Sequence, residues 1–570
     1  MAINVTIDDV KTTAKPGDTI LEVARTIGKD IPTLCHIEGL PPNGACRICV
    51  VEVAGKLVPA CATPVNEGMQ VRTGTPKVLE ARKSVLELLL AAHPNECTTC
   101  FKADNCDLAD LARVYAIERI NIPQGYDKKM LDIANPAIIR EPEKCILCGK
   151  CVRVCSEIQA VGAIDFAHRG ADSIVAPTLD RSLVSTQCTF CGQCVLACPT
   201  GALHENPHIA QVQAALNDES KTVVVQTAPA VRVSIGELFG MEPGTVSTGR
   251  MVAGLRAIGF EKVIDTNFGA DLTIMEEANE LAERIKNDGP LPLLTSCSPG
   301  WVKFIEHNYP NMLQNVSTAK SPQQMTGAVI KHIWAEKEGI KPEDVYVVSV
   351  MPCTAKKYEA NRPELAQGTI SDVDAVLTTR ETGMLMRQMG IDLARVPEVD
   401  FDHPMGTSSG AAAIFARSGG VMEAAIRTAY KLVTGEELEE IELHNLGGKG
   451  IREAEIDVGE LKLKVATVSG LAAAKELMDR IQNGEKFHFV EVMACPGGCI
   501  AGGGQPYSDE ETIELRKKAI NVIDRNMPIR KSHQNPEILE LYRDYLDKPL
   551  SEKSHKLLHT HYYKRQKYGS

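Results

Sequence analysis

The sequence predicts small α+β modules in series, followed by a larger α/β domain of two lobes around mainly parallel sheets. Three observations predict it. The chain has 570 residues, which at roughly 100–200 residues per domain means several domains. Its 19 cysteines are lopsided: fifteen precede residue 200, and only Cys297, Cys353, Cys495 and Cys499 follow. From about residue 220, strand-like and helix-like segments alternate, the mark of α/β architecture.

Composition narrows the classes. Hydrophobic residues make up 44%, enough for large cores. Asp and Glu number 74 against 62 Lys and Arg, a formal charge of −12, which argues against a nucleic-acid-binding surface. No uncharged run of eighteen apolar residues exists, so no membrane span is expected. The start, MAINVTIDDVKTTAKPGD, lacks a basic segment followed by an apolar one, so we read no signal peptide and expect a cytoplasmic protein. Thiols stay reduced there, and clustered cysteines more often bind metal than pair.

Residues 1–78 open with INVTID and VKTTA as a hairpin, then a helix from near Thr19, then two strands in CVVEVAGKLVPA. Cys35, Cys46, Cys49 and Cys61 lie in this β-grasp, ferredoxin-like frame, spaced C-x10-C-x2-C-x11-C. Four such thiolates suit a [2Fe-2S] cluster, and Asn43-Gly44-Ala45 lets the backbone turn its amides toward the sulfurs. Zinc is the rival.

In residues 79–118, two helical stretches flank His93, Cys97, Cys100 and Cys106. Zinc with three thiolates and an imidazole competes here with a [4Fe-4S] cluster carrying one His ligand. The neighbouring segments favour the cluster, and a neutral imidazole would raise its potential.

Residues 138–210 carry the strongest local signal. Cys145, Cys148, Cys151 and Cys155 repeat as Cys188, Cys191, Cys194 and Cys198, each C-x2-C-x2-C-x3-C, with Pro199 after the second run. This is the bacterial two-cluster ferredoxin pattern, in which the fourth Cys of each run serves the other cluster. One [4Fe-4S] set is then Cys145, Cys148, Cys151 and Cys198, the other Cys188, Cys191, Cys194 and Cys155. Clusters in series move single electrons.

Residues 220–508 alternate strands and helices, and cysteines sit where three strands end: TSC297, VMPC353 and VMAC495PGGC499. Sites in open α/β sheets form at strand carboxyl ends, so the three ends suggest one site. GLRAIGF and NLGGKGI are glycine turns without the dinucleotide or P-loop fingerprint, so no nucleotide or flavin site is expected on this chain.

At these loops the sequence resembles iron-only ([FeFe]) hydrogenases. TSCSPGW (295–301), MPCTAKKYE (351–359) and EVMACPGGCIAGGGQP (491–506) resemble that family's three signature loops, and residues 509–570 resemble its small-subunit segment, here fused. The resemblance implies an H-cluster: a four-iron cubane joined through a cysteine sulfur to a two-iron azadithiolate subsite with CO and cyanide. It implies Cys353, Cys495 and Cys499 as cubane ligands, with Cys499 bridging. Lys356, Pro229, Gln323 and Ser321 would surround the two-iron subsite, and Met351, Met493 and Phe415 would form its apolar walls. Ala230 stands where some relatives carry Ser. Cys297, Glu277, Ser317, Glu280 and Arg284 match the family's proton relay. From sequence alone, the spacing of Glu277, Glu280 and Arg284 also fits a solvated helix face with an ordinary i,i+4 pair.

One departure stands out. The family's first loop usually reads TSCCP; here Ser298 occupies a cubane-ligand position. Ser298 ligates as an alkoxide, or Cys297 takes its place, or the site is impaired; a hydroxyl oxygen is harder than thiolate sulfur.

The expected activity is H2 oxidation and proton reduction. The expected partners are H2, protons, and ferredoxin or flavin/NAD(P)-binding or formate dehydrogenase subunits of a larger complex. The alternatives are an H2-sensing or cluster-assembly relative with a degenerate site, or a purely electron-transferring subunit; the latter does not account for three cysteine-bearing loops. The last 21 residues hold five Lys or Arg and one acid, which fits either a solvated tail or a docking element.

Overall fold

The computed structural model describes residues 2–123, 125, 130–438, 450–459 and 461–568. The glycine turn NLGGKGI lies outside them up to Lys449. The chain divides into two compact units. The first comprises Met1–Ser156, Gly162–Leu183 and Cys194–His204; the second comprises Glu157–Val161, Val184–Gln193 and Glu205–Ser570. Residues 138–210 thus contribute to both.

The first unit opens with the expected hairpin, β1 (Ile3–Ile7) against β2 (Val10–Ala14), closed by Asp8 and Asp9 at φ +46° and +69°. Two positive-φ residues make the turn whose twist suits a two-residue hairpin. β3 (Val50–Val53), β4 (Lys56–Pro59) and β5 (Met69–Arg72) complete a sheet ordered β2-β1-β5-β3-β4, in which only β1 and β5 run parallel. The helix Ile20–Thr26 starts where Thr19 and Glu22 form a reciprocal capping box. Helices Pro76–Ala91 and Asp107–Val114 flank the His93 segment. Short strands β6 (Ile138–Arg140), β7 (Asp165–Ala167), β8 (Ile174–Ala176) and β9 (Leu203–Glu205) follow.

The second unit holds two sheets. One is all parallel: β10 (Thr222–Thr227), β11 (Lys262–Asp265), β13 (Val345–Met351) and β14 (Ala375–Thr378), in the order β11-β10-β13-β14. Both its faces are covered, which explains the apolar run VVV and the mainly apolar VYVVSVM, whose Ser349 is buried too. The other contains β12 (Leu293–Leu294), β15 (Gly450–Val458), β16 (Leu461–Ser469) and β17 (Phe489–Met493), in the order β12-β17-β16-β15. It is mixed rather than parallel throughout, because β15 and β16 form an antiparallel hairpin. The sheets have separate cores. The helix Thr266–Lys286 packs against helices Pro322–Val329 and Gly420–Thr434. Gly269 permits the first approach: a Cβ there would strike the Pro322 carbonyl and Thr326. Among the described residues no helix is long and apolar enough to cross a membrane.

Candidate active site

Strands β12, β13 and β17 deliver their carboxyl ends to one cavity. Cys297 and Ser298 come from the loop after β12, Cys353 follows β13, and Cys495 and Cys499 follow β17; all five line the cavity. Pro229, Met351, Phe415 and Met493 supply apolar wall, and Gln323 and Lys356 add polar groups. Burial pushes the Cys353 and Cys495 thiols up and Cys499 to about 12. Thiols in an apolar pocket ionise only when a cation compensates them, so this donor set fits a metal–sulfur group.

Lys356 is held in place. Its Nζ donates to the Cys297 carbonyl (3.2 Å), Ser321 Oγ (2.8 Å) and Glu359 Oε2 (2.7 Å). Ser321 Oγ and Gln323 Nε2 donate to the same carboxylate oxygen, at 2.8 and 3.1 Å. Ser321 therefore stands behind the wall, holding Lys356. The Oε1 of Gln323 is buried without a hydrogen-bond partner among the described residues, an acceptor left for something else. Glu359 was missed from sequence; its position three residues after Lys356 in AKKYE was the available signal. Ala230 is buried, and its carbonyl accepts from Gln505 Nε2 at 3.2 Å.

Ser298 caps the helix Pro299–Asn308 by position only, since its side chain makes no capping bond. Its Oγ instead accepts from the Ala494 amide at 3.3 Å.

Of the residues expected in the proton relay, Glu277, Glu280 and Arg284 lie on the helix Thr266–Lys286, while Cys297 and Ser317 lie beyond its end. Glu277 is fully buried, and neither of its oxygens reaches hydrogen-bond geometry with a partner among the described residues. Burial, then the charge of Glu280, pushes it up to about 8. Burial, then the charge of Glu277, pushes the Cys297 thiol well up. Ser317 Oγ donates to Glu280 Oε2 at 2.7 Å, and Arg284 Nη2 donates to Glu280 Oε1 at 2.5 Å. The i,i+4 pair is real but not solvated, for its side chains are 10% and 11% exposed. Arg284 also donates to the Pro290 and Asn315 carbonyls.

Residues 221–503 match the model of the iron-only hydrogenase large subunit, C-terminal domain. Over 581 aligned residues the chain is 49% identical to the NADP-reducing hydrogenase subunit HndD of Solidesulfovibrio fructosivorans, covering 99% of each. The chain belongs to the iron-only hydrogenase family. It is 40% identical to iron hydrogenase 1 of Clostridium pasteurianum, across 98% of this chain and 100% of that one. A solved apo structure of the [FeFe]-hydrogenase HydA1 of Chlamydomonas reinhardtii superposes with a TM-score of 0.57 at 42% identity, covering 63% of this chain and 100% of that one. Residues 510–565 match the iron hydrogenase small subunit. Residues 1–76 match a 2Fe-2S cluster-binding domain, 82–121 the iron–sulfur binding region of NADH-ubiquinone oxidoreductase G, and 144–202 a 4Fe-4S dicluster domain. The protein is therefore an iron hydrogenase, an oxidoreductase acting on H2, with N-terminal iron–sulfur domains that relay electrons.

The cysteines expected to hold relay clusters are found in both units. In the first, the Cys46 amide lies 3.5 Å from Cys35 Sγ, and the Cys49 and Cys61 sulfurs are 3.4 Å apart. Gly44 takes φ +65° beside them. His93 shares a cavity with Cys97, Cys100 and Cys106. Its Nδ1 lies 2.8 Å from the Pro94 carbonyl. A carbonyl only accepts, so Nδ1 carries the proton, and Nε2 is buried with no partner in hydrogen-bond geometry among the described residues. That is how a ligand histidine is set up. Gly201 leaves room: a Cβ there would lie 2.6 Å from Cys100 Sγ. Cys145, Cys148, Cys151 and Cys198 line a further cavity, drawing three sulfurs from one run and one from the other. Of the other set, Cys155 and Cys194 belong to the first unit and Cys188 and Cys191 to the second. The internal duplication extends to the backbone, since Leu147 and Phe190 both take positive φ (+53° and +61°), as do Gly149 and Gly192.

Two features were not anticipated. Cys191 lines the catalytic cavity itself. The C-terminal segment is also no solvated tail. Glu276 accepts from Tyr542, Ser554 and the Leu550 amide, and its Oε2 lies 3.0 Å from His559 Nε2. Arg565 pairs with Glu306 and Glu364.

Proposed function

We propose that the catalytic cavity holds the H-cluster on Cys353, Cys495, Cys499 and Ser298, with Cys499 bridging to the two-iron subsite. The observation that carries this reading is the meeting of these four side chains with Lys356 at three strand ends. When bound, the group supplies the cleavage and formation of H2. The protein positions and shields it. Lys356, held by Glu359 and Ser321, presents a cation suited to cyanide. Met351, Met493, Phe415 and Pro229 exclude water. Protons travel through Cys297, Glu277, Ser317, Glu280 and Arg284. At neutral pH Glu277 holds a proton, because its buried carboxyl is pushed to about 8.

Ser298 is the fourth ligand because its hydroxyl lines the cavity, is not used for capping, and accepts a backbone amide bond that would also steady an alkoxide. Cys297 lines the cavity as well, and its thiol is pushed well up by burial and then by the charge of Glu277, which suits it to hold a proton. Cys35, Cys46, Cys49 and Cys61 would hold one [2Fe-2S] cluster. His93 with Cys97, Cys100 and Cys106, and the two sets drawn from residues 145–198, would hold three [4Fe-4S] clusters, and these groups would supply one-electron transfer. Cys191, lining the cavity, supports its cluster as the last relay point. The match to a subunit named for NADP reduction supports partner subunits carrying flavin and nucleotide.

The test uses the matured enzyme and its S298A, S298C and C297A variants. Infrared bands of CO and cyanide together with H2 uptake are expected in the parent. S298A should lose cubane iron and its EPR signal, S298C should shift that signal, and C297A should keep the cubane while losing turnover. A parent without those bands after full maturation would refute the reading of the cavity. An unchanged cubane in S298A would remove Ser298 from the ligand set.

A further inference from the structure

Lys303 is a buried cation whose company is aromatic. It lies on the helix Pro299–Asn308, which starts one residue after Ser298, and it is 6% exposed. Its Nζ stands 3.6 Å from the centroid of the Phe190 ring and 4.9 Å from that of Tyr358. Those rings lie 4.5 Å apart. Phe190 belongs to the turn between Cys188 and Cys191. Its amide is 3.4 Å from Cys188 Sγ, and its carbonyl accepts from Thr354 Oγ1 at 2.7 Å, one residue after Cys353. Gln193 Nε2 donates to the Ala501 carbonyl (3.1 Å), and Gly503 packs against the Cys191 carbonyl, where any Cβ would collide. The Cys188–Gln193 turn is thus pinned to the loops after Cys353 and Cys499, with Lys303 against its centre.

Beyond the sulfur of Cys188, whose charge raises Lys303 against burial, the surrounding side chains do not neutralise this ammonium. Glu306 pairs with Arg362 and Arg565, and Glu364 pairs with the same two. Three cations (Lys303, Arg362, Arg565) against two carboxylates leave a surplus of one, and the two carboxylates are already taken by the arginines. His307 nearby is pushed down to about 4 by burial, then by the Lys303 charge, and adds no charge near neutrality. A desolvated cation–π contact recovers less than it costs to bury an ion. Yet burial lowers Lys303 only to about 8, so it remains mainly charged at pH 7. A buried cation of this kind calls for an anion that the polypeptide alone does not supply. An iron–sulfur cluster with thiolate ligands is net negative.

We propose that Lys303, through the face of Phe190, is the counter-charge of the cluster held by Cys188 and Cys191 and raises its reduction potential. This rests on the reading of Cys188 and Cys191 as ligands. A positive charge stabilises the reduced cluster over the oxidised one. Because Cys191 also lines the catalytic cavity, the effect falls on the cluster that first receives electrons from H2. Lys303 touches neither substrate nor reacting atoms; it acts through the cluster.

The test is an EPR-monitored redox titration of the full-length matured enzyme and its C191A, K303M and K303R variants, with iron content and the infrared bands recorded for each. C191A should abolish one accessory-cluster step, which identifies that cluster. K303M should move that same step to more negative potential, on the order of tenfold in its reduction equilibrium constant, about 59 mV for one electron. The other steps and the infrared bands should stay in place. K303R keeps the charge and should titrate like the parent. If C191A removes no step, the ligand reading fails. If C191A removes a step that K303M leaves unmoved, the charge proposal fails while the ligand reading stands. If K303M loses the cluster altogether, K303R decides: a parental potential supports the proposal, and a shifted one overturns it in favour of packing.

Discussion

Replacing Glu277 with Gln tests the proton route where its energetics are most exposed. In an unfolded chain a Glu titrates near 4.5, whereas burial holds Glu277 near 8. The folded value is raised, so the protein is fully stable with respect to this group below pH 4.5. Stability is lost as pH rises, until the folded carboxyl itself ionises near 8. A shift of about 3.5 units corresponds to about 5 kcal/mol in the alkaline limit, of which about 4 kcal/mol falls between pH 5 and pH 9. Gln keeps the shape and removes the titration, so E277Q should gain that amount on the wild type over the same interval. Both tryptophans of the chain, Trp301 and Trp334, lie in the second unit, so intrinsic fluorescence follows the unfolding of the part that contains Glu277. Urea unfolding of both proteins, purified without maturation, at pH 5, 7 and 9 gives the difference. In the matured enzymes, E277Q should lower H2 uptake by about 10²–10⁴-fold, the usual worth of a proton-transfer group. An infrared carboxyl band at pH 7 should be present in the wild type and absent from E277Q. A stability gap that does not change with pH, or a carboxyl ionised at pH 7, would refute the account of Glu277 as a neutral proton carrier.

Three more outcomes follow from the same geometry. H93C replaces a neutral ligand with an anionic one, so the potential of that cluster should fall while iron content holds, as read by EPR titration; an unmoved potential would remove His93 from the ligand set. K356M takes away the cation that Glu359 and Ser321 steady, and should shift the cyanide infrared bands and abolish turnover, whereas E359Q should produce a weaker form of both changes. E276Q weakens the acceptor of four contacts from the C-terminal segment, at a cost of about 1–3 kcal/mol. Limited proteolysis should then release the 550–568 region faster than in the wild type, with cluster content unchanged.

What the sequence could disclose follows the distance over which each feature is encoded. Cluster ligands are local: C-x2-C-x2-C-x3-C places three sulfurs within one turn, and the spacing alone names them. Strand ends were legible because VYVVSVM and FVEVM stop at Pro352 and at the Cys495 loop. The β15–β16 hairpin was not read, although IREAEIDV alternates. Composition left the tail open between a solvated and a docked segment because its partners are remote; Arg565 reaches Glu306 across 259 residues. Glu276 escaped for the same reason, and of the partners of Glu359 only Lys356 is near in sequence. A carboxylate that accepts three or four bonds looks like any other glutamate until the donors from other segments are in place.

Glu277 and Lys303 share a property that explains why neither role could be assigned from sequence. Each is a buried ionisable group without an oppositely charged side chain of its own, Glu277 without a cation and Lys303 without a carboxylate. A protein selected for stability alone would pair such groups or replace them with apolar side chains. Here each sits beside a stream of opposite charge. On the proposed reading the carboxyl stays neutral near pH 7 and is free to exchange a proton, and the ammonium stays charged beside the Cys188 turn. A fixed ion pair at Glu277 would lock the carboxylate in its ionised form and stop proton exchange. A carboxylate beside Lys303 would cancel the field at the cluster. The two unpaired groups therefore mark where protons and electrons part company, one on the helix Thr266–Lys286 and the other on the helix Pro299–Asn308.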